Sequence, residues 1–339
     1  MTSTPYTLFL AAPRGFCAGV DRAIDIVEMA LEVYGAPIYV RHEIVHNRHV
    51  VEWLRAQGAV FTDELADVPK GAVVIFSAHG ISPAVRREAA ERGLRQLDAT
   101  CPLVTKVHLE ALRYAKRGFT IVLVGHRHHV EVQGTMGEAP ESIVVVENVA
   151  EAEVLQIADP SKVAYITQTT LSMDDCRAIV EVLKRRFPAI SEPAKNDICY
   201  ATQNRQNAVK ELARRCKVLL VVGAPESSNA NRLVEVAQNL GASAYLIESA
   251  SDIDPAWLKG DIGVTAGAST PEDVVQSCVE RLCSLNGYRV EEFRLVEERV
   301  MFPLPGEILA AARERGVAIG PGNERAAARA TGEIKIRHH

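Results

Sequence analysis

RGFCAGVDRAI at 14–24, ATCPLVTKVHLEAL at 99–112 and DICYATQNRQNAV at 197–209 share one pattern, a turn-like lead, a cysteine, then an amphipathic helix. Cys17, Cys101 and Cys199 therefore each open a helix at the same point of a threefold repeat. About 29 residues after each cysteine comes a polar knot: HEIVHN at 42–47, GHRHHVE at 125–131 and GAPESSNAN at 223–231. Repetition in a fixed order makes these scattered polar stretches parts of one expected site.

Working outward, the same series of elements follows each cysteine. After Cys17 it runs VDRAIDIVEMALEVYG (helix), PIYVRHEI (strand), RHVVEWLRAQG (helix), AVFT and GAVVIFSAHG (strands), and a helix from SPAVRREAAERG. After Cys101 it is VTKVHLEALRYAKRG, FTIVLVGH, a Gly-rich stretch EVQGTMGE, SIVVVEN, KVAYITQTT and SMDDCRAIVEVLKRRF. After Cys199 it is NRQNAVKELARRC, KVLLVVG, NRLVEVAQNLG, SAYLIES, DIGVTAGAS and TPEDVVQSCVERLC. Continuous apolar strands alternating with helices of period 3.6 imply parallel sheets covered on both faces. The expected fold is α/β, a trefoil of three pseudo-threefold-related small units: 13–100, 101–198 and 199–300, the last completed by an N-terminal strand at 6–12. Ser82-Pro83, Ser172 with Asp175, and Thr270-Pro271 with Asp273 read as matching helix caps. Residues 301–339 are expected to form a C-terminal extension, partly ordered, whose Ala/Arg-rich tail GNERAAARATGEIKIRHH is poorly ordered or lightly packed. Ligands of open α/β sheets bind beyond the carboxyl ends of the strands, where each polar knot falls, so three such ends on a common axis make one central cavity.

Composition bounds the chemistry. The 339 residues are 47% hydrophobic, enough for ordinary cores. A net charge of -5 gives no global reason to bind nucleic acid or an anionic membrane, so anion recognition must be local. No apolar run reaches the ~18 residues of a membrane span, and YTLFLAA lacks the positive lead of a signal peptide. Seven widely spread cysteines suit reduced thiols and a cytoplasmic setting better than a disulfide framework.

A lone cysteine at a helix start is more often a small buried residue than a ligand. Three in register reverse that reading. A helix N-terminus favours the thiolate through its free N–H groups. Three thiolates suit a tetrahedral zinc with an open position, or an iron-sulfur cluster with one iron lacking a protein ligand. Cys176, Cys216, Cys278 and Cys283 lie within helices and read as core. His42-Glu43-Ile44-Val45-His46 matches H-E-x-x-H, which binds zinc when a helix puts both histidines on one face. Here it ends a strand and precedes the helix cap Asn47, and in an extended chain the two rings stand about 13 Å apart.

The remaining polar groups at strand ends and helix starts are His46 and His79, then His129, Glu131, Thr169 and Thr170, then Ser227, Ser228, Asn229 and Ser269. Each has a bland reading: Ser228 or Asn229 as a helix cap, His79 as a satisfied loop residue, Glu131 as a solvated acid. Together, imidazoles, hydroxyls and an amide are the groups a phosphate or diphosphate requires. Glu131, the one carboxylate among them, would have a raised pKa suited to proton delivery.

PRGFCAGVDRAI, HEIVHNR, SAHGIS, DATCPLVTKVH, EVQGTMG, TQTTLSMDD, DICYATQNRQ, SSNANRL and GVTAGAS occur in that order, and with them the chain resembles the 4-hydroxy-3-methylbut-2-enyl diphosphate reductase family over about residues 6–300. The resemblance implies a trefoil around a 4Fe-4S cluster held by Cys17, Cys101 and Cys199, its fourth iron facing the substrate. It implies that His46, His79, His129, Ser227, Ser228, Asn229 and Ser269 hold the diphosphate, and that Thr169 and Glu131 hydrogen-bond the allylic hydroxyl. Two electrons from ferredoxin or flavodoxin, with protons routed through Glu131, would remove that hydroxyl as water and yield isopentenyl or dimethylallyl diphosphate, the last step of the methylerythritol phosphate route. Where the family reads G-H-x-G-H-P-E, this chain has Gly125-His126-Arg127-His128-His129-Val130-Glu131, which leaves His128 and His129 open to one role. Ser269 follows from the family motif, since the repeat alignment sets Gly267 opposite His79 and Thr169. A zinc-dependent hydrolase of a diphosphate, and a non-catalytic module for a phosphorylated ligand, are the readings from other classes.

Overall fold

The computed structural model describes residues 6–318 and Arg329. Three sheets carry the fold, and every strand pairing within them is parallel. The third sheet contains the first strand, β1 (Thr7–Ala12). The first sheet is formed by β2 (Ile38–Arg41), β3 (Ala59–Thr62), β4 (Val73–Phe76) and β5 (Arg95–Asp98) in the order β3-β2-β4-β5. The second is formed by β6 (Thr120–Val124), β7 (Ile143–Val146) and β8 (Val163–Thr167) in the order β7-β6-β8. The third adds β9 (Val218–Val222), β10 (Ser243–Ile247), β11 (Ile262–Ala266) and β12 (Arg289–Arg294) in the order β10-β9-β11-β1-β12. In each, the first strand after a cysteine helix is flanked by the second and the third, and β4, β8, β9 and β11 are buried on both faces, as unbroken apolar runs require.

The helices are α1 (Ala18–Tyr34), α2 (Arg48–Ala56), α3 (Pro83–Glu91), α4 (Pro102–Lys116), α5 (Val130–Met136), α6 (Val149–Val154), α7 (Met173–Arg186), α8 (Tyr200–Arg215), α9 (Ser228–Asn239), α10 (Glu272–Asn286) and α11 (Gly306–Glu314). Ser82 and Ser172 cap α3 and α7 by accepting the amides of Val85 and Asp175. The matching expectation for α10 fails: Thr270 spends its hydroxyl on the Val222 carbonyl at 2.9 Å, and α10 starts after Pro271 without a side-chain cap.

The units are linked cyclically. β5, which leads into Cys101, pairs with β4; β1, which leads into Cys17, pairs with β11; and Ser191, upstream of Cys199, bridges Ala164 in β8. Each cysteine thus leaves the sheet of the preceding unit. Its amide is then tied to that sheet's strand end: Cys101 to the Ala78 carbonyl at 2.9 Å, Cys199 to Thr169 at 3.0 Å and Cys17 to Ala268 at 3.2 Å.

Two stretches take a form that their composition left open. EVQGTMG is helical, because Gly134 lets α5 ride on the backbone of Gly80, whose carbonyl carbon and oxygen lie 3.2 Å from where a Cβ would stand. The described part of the segment after Phe302 packs against the first unit. Ile308 and Ala312 of α11 are fully buried in the same core as Ile24, Val27 and Ile38, and Leu304, Ala311 and Val317 pack around them. Arg329 is also buried and pairs with Asp21, Asp25 and Glu28 on α1. The rest of the extension lies outside the described residues. Among those described, no helix is long and apolar enough to cross a membrane.

Candidate active site

Each cysteine is the N-cap residue of its helix, Cys17 of α1, Cys101 of α4 and Cys199 of α8. All three line one central cavity, which encloses about 690 Å³ of non-atom space including its mouth. The sulfurs of Cys101 and Cys17 lie 2.8 and 3.8 Å from the point where a Cβ on Gly19 would stand, so any larger residue there would intrude on the thiols. Cys199 Sγ accepts the Thr202 amide at 3.4 Å and touches its hydroxyl at 3.2 Å. Backbone N–H groups favour these thiolates as the helix starts suggest, yet burial is the stronger effect. It pushes Cys17 up to about 11 and Cys101 up to about 12, and raises Cys199 as well. At these positions burial therefore outweighs the helix-start effect that favours the thiolate. Among the described residues no three His, Cys, Asp or Glu side chains are grouped closely enough to hold one metal ion. Three thiols around one shared space are a donor set that a metal group bound in the cavity could use.

The strand-end groups converge on the same cavity. His46, His79, His129, Glu131, Thr169, Thr170, Ser227, Ser228, Asn229 and Ser269 all line it. The rings of His46 and His79 stack with centroids 4.2 Å apart, and His129 meets them edge-on at 5.6 and 5.9 Å. His129 Nδ1 accepts the Glu131 amide at 3.2 Å, so its proton belongs on Nε2. Burial, then the neighbouring imidazoles, hold His79 well below the usual histidine range and bring His129 down to about 4. His128 is exposed and absent from the cavity wall, while Arg127 turns outward to Glu151 at 3.2 Å, which leaves the role to His129.

Glu131 is 3% exposed, and Thr169 donates both its amide (2.6 Å) and its hydroxyl (2.9 Å) to the carboxylate. Those bonds favour the charged form, but burial prevails and pushes the acid up to about 7. Asn229 stands at the same place in α9, accepting the Ala268 amide at 3.0 Å and donating to Thr202 at 3.3 Å. The helix cap here is Ser227, which accepts the Ala230 amide at 3.3 Å, and Ser228 instead accepts from the Thr170 hydroxyl at 3.0 Å. Counting from the strand ends, His79, Thr170 and Ser269 are equivalent, as are Ala78, Thr169 and Ala268. Gly267 is therefore not opposite His79; Ser269 is, and the repeat register itself places it.

His42 and His46 do not form a metal pair. The chain turns after β2 with His42 at φ +60°, sending its ring to Asp63 at 2.9 Å while His46 faces the cavity. Two contributors escaped the sequence reading. Gln168, 1% exposed, donates to the Thr170 and Ser228 hydroxyls at 2.9 and 3.4 Å and accepts the His126 amide at 3.0 Å. Thr202 joins Cys199 to Asn229. Gln168 sits inside the quoted TQTT, and Thr202 lies three residues beyond Cys199, so position beside chosen residues was the only available signal.

The model of the LytB protein family matches residues 8–283. The 4-hydroxy-3-methylbut-2-enyl diphosphate reductase of Bordetella pertussis is 60% identical over 307 residues, 90% of this chain and 94% of that protein. The protein of the same name from Azoarcus is 58% identical over 303 residues, 89% of this chain and 97% of its own length. Among solved structures, the E-1-hydroxy-2-methyl-but-2-enyl-4-diphosphate reductase of Plasmodium falciparum superposes with a TM-score of 0.90 at 44% identity, covering 92% of this chain and all of that one.

Proposed function

The chain belongs to the LytB family, and on that premise we propose which residues of the central cavity do the family's work. The activity is the reduction of 4-hydroxy-3-methylbut-2-enyl diphosphate to isopentenyl and dimethylallyl diphosphate, the last step of the non-mevalonate route, and the enzyme is an oxidoreductase. A zinc-dependent hydrolase finds no support in these relatives. The observation that carries the assignment is that three helix-capping thiols, three packed imidazoles and one buried acid–hydroxyl pair line a single cavity.

Cys17, Cys101 and Cys199 would hold a 4Fe-4S cluster, one iron each, with the fourth iron left to the cavity. When bound, the cluster supplies Lewis acidity and electrons for breaking the carbon–oxygen bond. His46, His79, His129, Ser227, Ser228, Asn229 and Ser269 hold the diphosphate, and Thr170 completes the hydroxyl row through its bond to Ser228. Diphosphate binding energy then fixes the far end of the substrate, so the allylic hydroxyl is presented in one orientation. Thr169 orients that hydroxyl. Glu131, near neutral in pKa and bonded to Thr169, carries the proton that leaves with the hydroxyl as water. The units 13–100, 101–198 and 199–300 each contribute one cysteine and at least two of the polar groups at strand ends and helix starts. We assign the electrons to ferredoxin or flavodoxin and the enzyme to the cytoplasm.

Anaerobic purification followed by iron, sulfide and zinc analysis tests this reading. About four iron and four sulfide per chain are expected; one zinc and no sulfide would overturn it. Glu131→Gln should retain substrate binding while turnover falls about 10²- to 10⁴-fold, and undiminished turnover would remove Glu131 from the proton path.

A further inference from the structure

Arg205 heads the largest fully buried side chains among the described residues, at 0% exposure. A buried cation is costly unless it is paired and hydrogen-bonded, and an apolar residue of similar volume would often serve stability as well. Its partners suggest why a charge is kept. Nη2 donates to the carbonyls of Gly15 (2.8 Å) and Phe16 (3.4 Å), the two residues before Cys17. Nη1 donates to the Ala201 carbonyl (3.0 Å), in the first turn behind Cys199. Nη1 also meets both carboxylate oxygens of Glu298, at 3.1 and 3.3 Å. Asn204 holds the same carboxylate at 2.9 Å. Glu298 belongs to the irregular segment between β12 and α11, so the C-terminal chain supplies the counter-charge to a guanidinium that joins the backbone just before Cys17 to the backbone just after Cys199.

We propose that Arg205 and Glu298 are positioning residues that set the electron affinity of the cluster held by Cys17, Cys101 and Cys199. A permanent positive charge in a dry interior acts over several ångströms with little screening, easing the arrival of an electron, and the carboxylate beside it moderates that pull. The guanidinium fork has a second duty that a lysine could not perform, joining the Gly15 carbonyl, through Nη2, to the Ala201 carbonyl, through Nη1.

The inference rests on the cluster assigned above, and the test separates the two. Anaerobically purified wild type, Glu298→Gln, Arg205→Gln and Arg205→Lys are titrated with dithionite, one electron per cluster, and followed by electron paramagnetic resonance. Glu298→Gln should shift the midpoint potential positive and Arg205→Gln should shift it negative. Arg205→Lys should stay close to wild type in potential but lose iron to a chelator several-fold faster. Charge predicts opposite signs; mere loosening of the site predicts one sign for both. Shifts in the same direction, or none at wild-type iron content, overturn the proposal while leaving the cluster in place. Should Arg205→Gln not fold, Glu298→Gln decides alone, and a potential that fails to rise rejects the idea. Wild type without iron and sulfide would instead defeat the cluster assignment and this inference with it.

Discussion

Glu131 is held by Thr169 through two hydrogen bonds, yet burial lifts its pKa from 4.5 to about 7. A carboxyl whose folded pKa exceeds its unfolded value stabilises the fold fully below the unfolded value. That stability is lost as pH rises through the folded one, here between 4.5 and about 7. Glutamine preserves both contacts, accepting from the Thr169 amide and donating to its hydroxyl, and removes the charge. Glu131→Gln should therefore be more stable than wild type at pH 8, by on the order of 3 kcal/mol, and by less than about 1 kcal/mol at pH 5. Urea unfolding at the two pH values measures this, and an equal gain at both would assign the effect to packing. The same residue shows what a sequence conveys. Its carboxylate stood out because the groups around it were neutral, whereas Gly19 and Gln168 carry no such contrast. Gly19 matters by what it lacks, a Cβ where the Cys101 sulfur passes at 2.8 Å, and Gln168 by which hydroxyls it holds. Both are consequences of assembly.

Elements were legible where a helix or strand declares itself by its own pattern. VLLVV and VVIF are strands by composition, and Ser172 with Asp175 marks the start of α7. Helix α5 was not, because its glycines look like a turn until Gly80 is seen to lie against Gly134. Helix α11 was hidden for a related reason: its alanines present little apolar area, and the surface they cover belongs to α1, nearly three hundred residues earlier. That packing makes α11 part of the first unit's core. Ile308, fully buried, supports the helix whose first turn follows Cys17. Ile308→Ala should lower stability by about 2–4 kcal/mol, read as a lower urea midpoint at unchanged slope. A change under about 0.5 kcal/mol, the range of surface substitutions, would mean that α11 is an appendage.

At the scale of the molecule, the cyclic linkage explains why the site cannot form piecemeal. Each unit lends a cysteine to the strand end of the unit before it, and His46 and His79 of the first unit meet His129 of the second. The threefold pattern revealed that convergence, but the distances that make the imidazoles interact arise only when the units close. Crowding and burial keep His79 and His129 neutral in the free protein, the latter down to about pH 4. The diphosphate site proposed at these rings would reverse the balance, since each protonated imidazole would gain an anion partner. Binding should take up protons at pH 7, and affinity should rise as pH falls from 8 to 6. Calorimetry of substrate binding without reductant, in buffers of different ionisation enthalpy, counts the protons. The substrate's own titration is common to wild type and His129→Asn, so the difference isolates the imidazole, and uptake should be smaller in the variant. Identical uptake in both proteins would show that His129 stays neutral in the complex and acts through its Nε2–H donor alone.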